Sequence, residues 1–176
     1  YAPVADYLDA MLAEAKLVAR ALPARMRVDH IHFGGGSPTL LTPADFGQTL
    51  ATLREYYNVT LDAEIAVELD PRTADEAYVA AMAKAGVTRA SIGVQDFDAK
   101  VQRAINRIQP HDVTARVTRW LRAHGVSAIN MARFTERYYL GCSNRVGVAT
   151  PAQDSAAKVL ISSWPALVSV KWTRRR

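Results

Sequence analysis

One cysteine, Cys142, is all that this chain of 176 residues contains. That excludes an internal disulfide and any metal site built from cysteines alone within one chain. Long apolar runs are missing too: none reaches the roughly eighteen residues of a membrane-spanning helix. Asp6, Asp9 and Glu14 interrupt the first apolar positions, so no signal peptide is expected. Neither Gly-Lys-Ser/Thr nor G-x-G-x-x-G follows any strand-like run, which removes the common nucleotide-loop signatures. A soluble, cytoplasmic protein is the expectation.

What is present is 49% apolar residues, enough for one core in one domain or part of a larger one. The net charge of +5 hints at nucleic acid, but its distribution argues otherwise. Residues 1–131 hold 14 Lys+Arg against 15 Asp+Glu, a net of −1. Residues 132–176 hold 8 against 2, a net of +6. Body and tail therefore need separate readings.

The body alternates strand-like and helix-like segments. "VADYLDAMLAEAKLVARAL" is a strongly amphipathic helix. Strands are predicted at 28–33 ("VDHIHF"), 63–69 ("AEIAVEL"), 89–94 ("RASIGV") and 127–131 ("SAINM"). Thr42 and Pro43 start a helix that runs to about Tyr56. Thr73 is predicted to cap a helix through Ala85, with Gly86 closing it. A short helix over Ala99–Ile105 and a longer one over His111–His124 follow, the latter ending at Gly125. This spacing implies an α/β fold, a parallel β/α array, whose sites gather at the C-terminal edge of the strands. An open sheet and a barrel both fit the pattern.

Polar signals recur at that edge. "HFGGGSPTLL" places Gly34, Gly35 and Gly36 directly behind a strand, where bare backbone allows close approach by a ligand or simply a tight turn. Glu68 and Asp70 end the next strand on one face, where a carboxylate needs a partner, a ligand or solvent. Gln95 ends the third strand, and Arg107 could grip a carboxylate with two N–H groups. His30 and His32 lie two apart on one strand face, half of a metal site, but no third ligand stands at useful spacing. They are read as packed or edge histidines. His111 and His124 are read as structural, and Cys142 is given no role.

Together these segments resemble a known family. "HFGGGSPTLL", "EIAVELDPRT", "AGVTRASIGVQDFDAKVQRAINRIQ" and "GVSAINM" look like the radical S-adenosylmethionine core of oxygen-independent coproporphyrinogen III oxidases. The resemblance covers residues 1–131 and implies a partial (β/α)6, TIM-like barrel. It implies an oxidative decarboxylation of coproporphyrinogen III in haem biosynthesis, with S-adenosylmethionine and a [4Fe-4S] cluster as cofactors. It implies a small-molecule substrate, no nucleic acid or membrane partner, and a monomer. On matching positions, Gly35, Gly36 and Ser37 would line the pocket for the methionyl end of S-adenosylmethionine. Glu68 would hydrogen-bond the cofactor, and Gln95 and Arg107 would complete the polar lining, Arg107 facing the methionine carboxylate. Ser37 stands where threonine is commoner and keeps the hydroxyl. The related haem chaperone usually reads Gln-Ser-Phe and ends in Arg-x-His; Asp96 and Gln109 at those positions favour the oxidase.

The chain departs from that family in two places. The Cys-x3-Cys-x2-Cys loop that binds the cluster has no counterpart here, and the first β/α unit is missing with it. After "INM" the family's Asp-Leu-Ile-Tyr-Gly-Leu-Pro is replaced by Ala132-Arg133-Phe134-Thr135, where the charge also changes. Residues 132–176 are therefore expected to be an unrelated, irregular basic tail, from a frameshift or fusion, behind an inactive fragment with an open barrel edge. A cluster-free module that binds S-adenosylmethionine or haem is the first alternative. A nucleic-acid- or surface-binding protein using the basic "KWTRRR" end is the second.

Overall fold

A computed structural model of the chain describes residues 2–35, 37–133, 158–161 and 168–171. The first helix, α1, spans Ala2–Ala21, and β1 spans Arg27–Phe33. The glycine loop leads into a single 3-10 turn, Pro38–Leu40. Helix α2, Pro43–Tyr56, starts as expected. Thr42 Oγ1 accepts from the Asp45 N–H while the Asp45 carboxylate accepts from the Thr42 N–H, a reciprocal cap with Pro43 inside it. Strand β2 covers Asn58–Leu69, five residues longer at its start than the apolar run suggested.

Helix α3, Glu76–Ala85, is capped by Asp75 rather than Thr73. The Asp75 carboxylate accepts from the Tyr78 N–H, whereas the Thr73 hydroxyl turns to Thr39 and to the Asp70 carbonyl. Gly86 ends α3 at a φ of 108°, the left-handed conformation that favours glycine. Strand β3 (Arg89–Gln95), helix α4 (Ala99–Ala104), helix α5 (His111–Ala123) and strand β4 (Ala128–Arg133) complete the body close to expectation.

Strands β1 to β4 are parallel, and each pairs with its neighbour in sequence. The chain thus winds in one direction, as a barrel requires, without the reversal of a doubly wound sheet. Four parallel strands agree with the expected share of a (β/α)6 barrel. The two further strands are a finding that the sequence reading did not contain. Residues Lys158–Ile161 (β5) and Val168–Lys171 (β6), within the segment expected to be irregular, form an antiparallel pair. Strand β6 docks antiparallel on β1, His30 opposite Lys171 and Phe33 opposite Val168, so the β1 edge expected to be open is paired. Cys142 and most of the basic end lie outside the described residues.

One face of the sheet carries the core. Phe33 and Phe46 are both 0% exposed, with ring centroids 4.2 Å apart. Ile31, Val67, Ile92, Val79, Met82 and Leu121 join them, tying α2, α3 and α5 to the sheet. The other face is polar. His30 Nδ1 meets Glu64 Oε1 at 3.2 Å, and Glu64 Oε2 meets Arg89 Nε at 2.8 Å, a row across β1, β2 and β3. No helix among the described residues is long and apolar enough to cross a membrane.

Candidate functional site

The C-terminal ends of β1, β2 and β3 open onto a cavity of about 260 Å3. Ser37, Glu68, Gln95 and Arg107, chosen from the sequence, all line it. Gly35, two residues before Ser37, has a φ of 90°, so its glycine is required by conformation. Gly36 lies outside the described residues. The cavity falls below the roughly 300–1,000 Å3 of typical small-molecule pockets, a size for one amino-acid-sized moiety.

Each lining residue is held by local structure. Ser37 precedes the 3-10 turn, and that turn is pinned from α3: the Tyr78 hydroxyl donates to the Pro38 carbonyl at 3.3 Å. Burial pushes the Tyr78 hydroxyl up to about 12, so it remains a donor at neutral pH. Gln95 has a φ of 63°, rare outside glycine, at an irregularity in the β3–β4 register between Gly93 and Gln95. A side chain held in that strained backbone region at a cavity wall is the kind of outlier that clusters at binding sites. Asn106, also left-handed at a φ of 51°, turns the chain after α4 and sends Arg107 back to the sheet.

Arg107 reaches three acceptors. Its Nη2 donates to the Gly93 carbonyl at 3.2 Å and lies 3.2 Å from Asp70 Oδ2, and its Nε donates to Gln109 Oε1 at 3.4 Å. Gly93 makes room, since a Cβ there would stand 3.3 Å from Arg107 Nη2. Asp70 is gripped from the other side by Arg72, whose Nε and Nη2 donate to both carboxylate oxygens at 2.7–3.2 Å. Two guanidinium groups thus share one aspartate, which leaves positive charge over on the Arg107 side. Glu68 supplies the opposite sign within the same cavity. A cavity with a carboxylate and an under-neutralised arginine matches the ammonium and carboxylate of an α-amino acid.

Burial alone would raise the Asp70 carboxyl. Hydrogen bonds from the Arg72 side chain and backbone, with the charges of Arg107 and Arg72, outweigh it and hold the carboxyl below its ordinary value of 3.8. Burial likewise pulls Arg107 down, with Asp70 opposing. A carboxyl lowered by folding adds stability that is complete above its ordinary value and is lost as pH falls through the lowered one. Asp70→Asn is therefore expected to unfold at lower urea than the parent chain at pH 7. The gap should narrow by pH 3, and equal midpoints at pH 7 would refute the assignment.

The sequence reading grouped Asp70 with Glu68 as a carboxylate needing a partner, a ligand or solvent but did not count it among the binding residues, and it did not single out Ser91 or Gly93; all three line the cavity. Strand alternation carries the signal: Ser91, Gly93 and Gln95 fall two apart on the face that Glu68 shares through its Ser91 register partner. His30 and His32 each face a glutamate instead of completing a metal set, and no cluster of three or more metal-ligating side chains occurs among the described residues. His111 lies against the Phe97 ring at 5.1 Å, and His124 lies 4.0 Å from Glu76 on α3.

Comparison with known proteins matches residues 9–135 to the radical SAM superfamily. The chain belongs to that superfamily. Within it, the chain is 49% identical over 127 residues to an oxygen-independent coproporphyrinogen III oxidase of Bradyrhizobium diazoefficiens. It is 41% identical over 129 residues to the protein of that name from Paracoccus denitrificans. Among solved structures, coproporphyrinogen III oxidase from Escherichia coli, a radical SAM enzyme, superposes with a TM-score of 0.69 at 34% identity, covering 73% of this chain and 29% of that one. The matches to the two curated relatives take in 72% and 73% of this chain but about 28% of theirs. The radical SAM match thus includes every described cavity residue and runs two residues past the end of β4.

Proposed function

We propose that residues 1–131 are the S-adenosylmethionine-binding part of an oxygen-independent coproporphyrinogen III oxidase, with Gly35, Gly36, Ser37, Glu68, Gln95 and Arg107 as its binding residues. One observation carries the reading: residues from four separate segments meet at a single cavity whose two charge signs suit an α-amino acid. Arg107 would take the carboxylate, with Asp70 and Gln109 fixing its plane. Glu68 would take the ammonium, and Ser37 and the bare backbone before it would close over the main chain of the ligand.

In the superfamily the bound cofactor supplies radical chemistry. The residues of this chain bind it and orient it. The iron–sulfur cluster does not fit the residues present, because the 176 residues hold one cysteine and a cluster needs several thiolates. By itself the chain is then a binding module of the oxidase with no means of reducing the cofactor. Residues 132–176, with their different charge, are read as foreign to that module in origin.

The test is titration calorimetry of the full chain with S-adenosylmethionine. Saturable heat is expected for the parent chain. Arg107→Leu should weaken binding about ten- to a hundredfold, as expected for losing a hydrogen bond to a charged group. No heat from the parent chain at millimolar cofactor would sink the reading.

A further inference from the structure

We propose that His32 is the positioning residue for Glu68, and that Gly34 is glycine to make room for the two of them. His32 Nε2 lies 3.2 Å from Glu68 Oε1. An ionised carboxylate only accepts, so Nε2 carries the hydrogen and donates. His32 stands opposite Ala66 in the β1–β2 register, so its ring reaches diagonally along the sheet to a carboxylate two residues further on. His30 lies on the same strand face with its ring parallel to this one within 9° at 6.5 Å, and is itself paired with Glu64.

Gly34 sits directly under this contact. A Cβ there would fall 2.4 Å from His32 Nε2, 2.8 Å from its Cδ2 and 2.9 Å from Glu68 Oε1. No Cβ tolerates such distances, so the imidazole or the carboxylate would have to shift out of its present position. Unlike Gly35, Gly34 is not among the residues with positive φ, so the constraint is space and not conformation. The first glycine of the loop thus serves the His32–Glu68 pair, and the second serves the turn.

The consequence is a fixed carboxylate. With Oε1 held by the imidazole, and Oε2 bonded by no described residue, Glu68 enters the cavity in one orientation before any ligand arrives. Such preorganisation raises affinity by sparing the ligand the ordering of a flexible side chain. This inference rests on the reading of the cavity as a site for an α-amino acid zwitterion.

The experiment uses the full chain and three variants, His32→Leu, His32→Gln and Gly34→Ala, titrated with S-adenosylmethionine. His32→Gln keeps an N–H at similar reach and should bind within about threefold of the parent, whereas His32→Leu should lose about tenfold or more. Gly34→Ala should resemble His32→Leu. Parent-like binding by His32→Leu overturns the proposal, and so does His32→Gln binding as poorly as His32→Leu. Imidazole 15N NMR of the ligand-free chain separates the pair from the cofactor reading. A protonated Nε2 on His32 whose signal moves in Glu68→Gln supports the positioning role even if the parent chain gives no heat. An unprotonated Nε2 overturns it even if S-adenosylmethionine binds.

Discussion

Gln102→Leu is expected to lower stability by about 3–5 kcal/mol, with the loss read as a fall in the urea midpoint at unchanged slope. Gln102 is 5% exposed, and its side chain closes three hydrogen bonds. Its Nε2 donates to the Asp96 carbonyl at 2.9 Å and to the Gln109 carbonyl at 2.7 Å, and its Oε1 accepts from the Gln109 N–H at 2.9 Å. Leucine fills a similar volume but takes away the buried partners of the Gln109 N–H and carbonyl, each loss costing about 1–3 kcal/mol. Native domains are stable by only about 5–15 kcal/mol, so the loss would be a large share of the total. It should also reach the site. Gln109, 1% exposed, receives Arg107 Nε on its Oε1 and donates to Thr114 Oγ1, so Gln102 fixes the residue that fixes Arg107. A variant as stable as the parent would show that the network is not a unit.

Truncation after Arg133 is the second large effect. It removes β5 and β6 and bares the β1 edge from His30 to Phe33, whose backbone donors and acceptors now pair with β6. An exposed strand edge is a template for another chain. The chain 1–133 is expected to elute in size exclusion as a larger species than the full chain, despite its lower mass. Elution as a smaller monomer with an unchanged melt would mean that β6 contributes nothing to the sheet.

How far the sequence carries can be judged from these same residues. The four parallel strands and their helices were legible because each apolar run is short, β-branched and followed by a capping or glycine signal. The start of β2 was not, since Thr60 and Asp62 interrupt the apolar pattern and the pairing with β1 decides it. Thr73 looked like a cap because a hydroxyl at a helix entrance usually is one, yet its partner is Thr39, 34 residues away. Strands β5 and β6 were hidden in "VLISSWPALVSV", where Pro165 broke the period and only the free edge of β1 gives the segment a reason to be extended. Ser37, Glu68, Gln95 and Arg107 were found through strand ends and the family likeness. The network of Gln102 and Gln109 was not, because an amide in a polar helix or loop looks solvated until its partners are known, and Gln109 stood out only as a family discriminator.

The antiparallel docking of β6 on β1 also sets an order of events at the ribosome. Strands β1 to β4 can each find a neighbour soon after it is made, because every pairing joins consecutive strands. Phe33 and its β6 partner Val168 are 135 residues apart. At about 5–20 residues per second of synthesis, β6 reaches β1 roughly 7 to 27 seconds after β1 is made. During that interval a neighbouring nascent chain on the same message competes for the same edge.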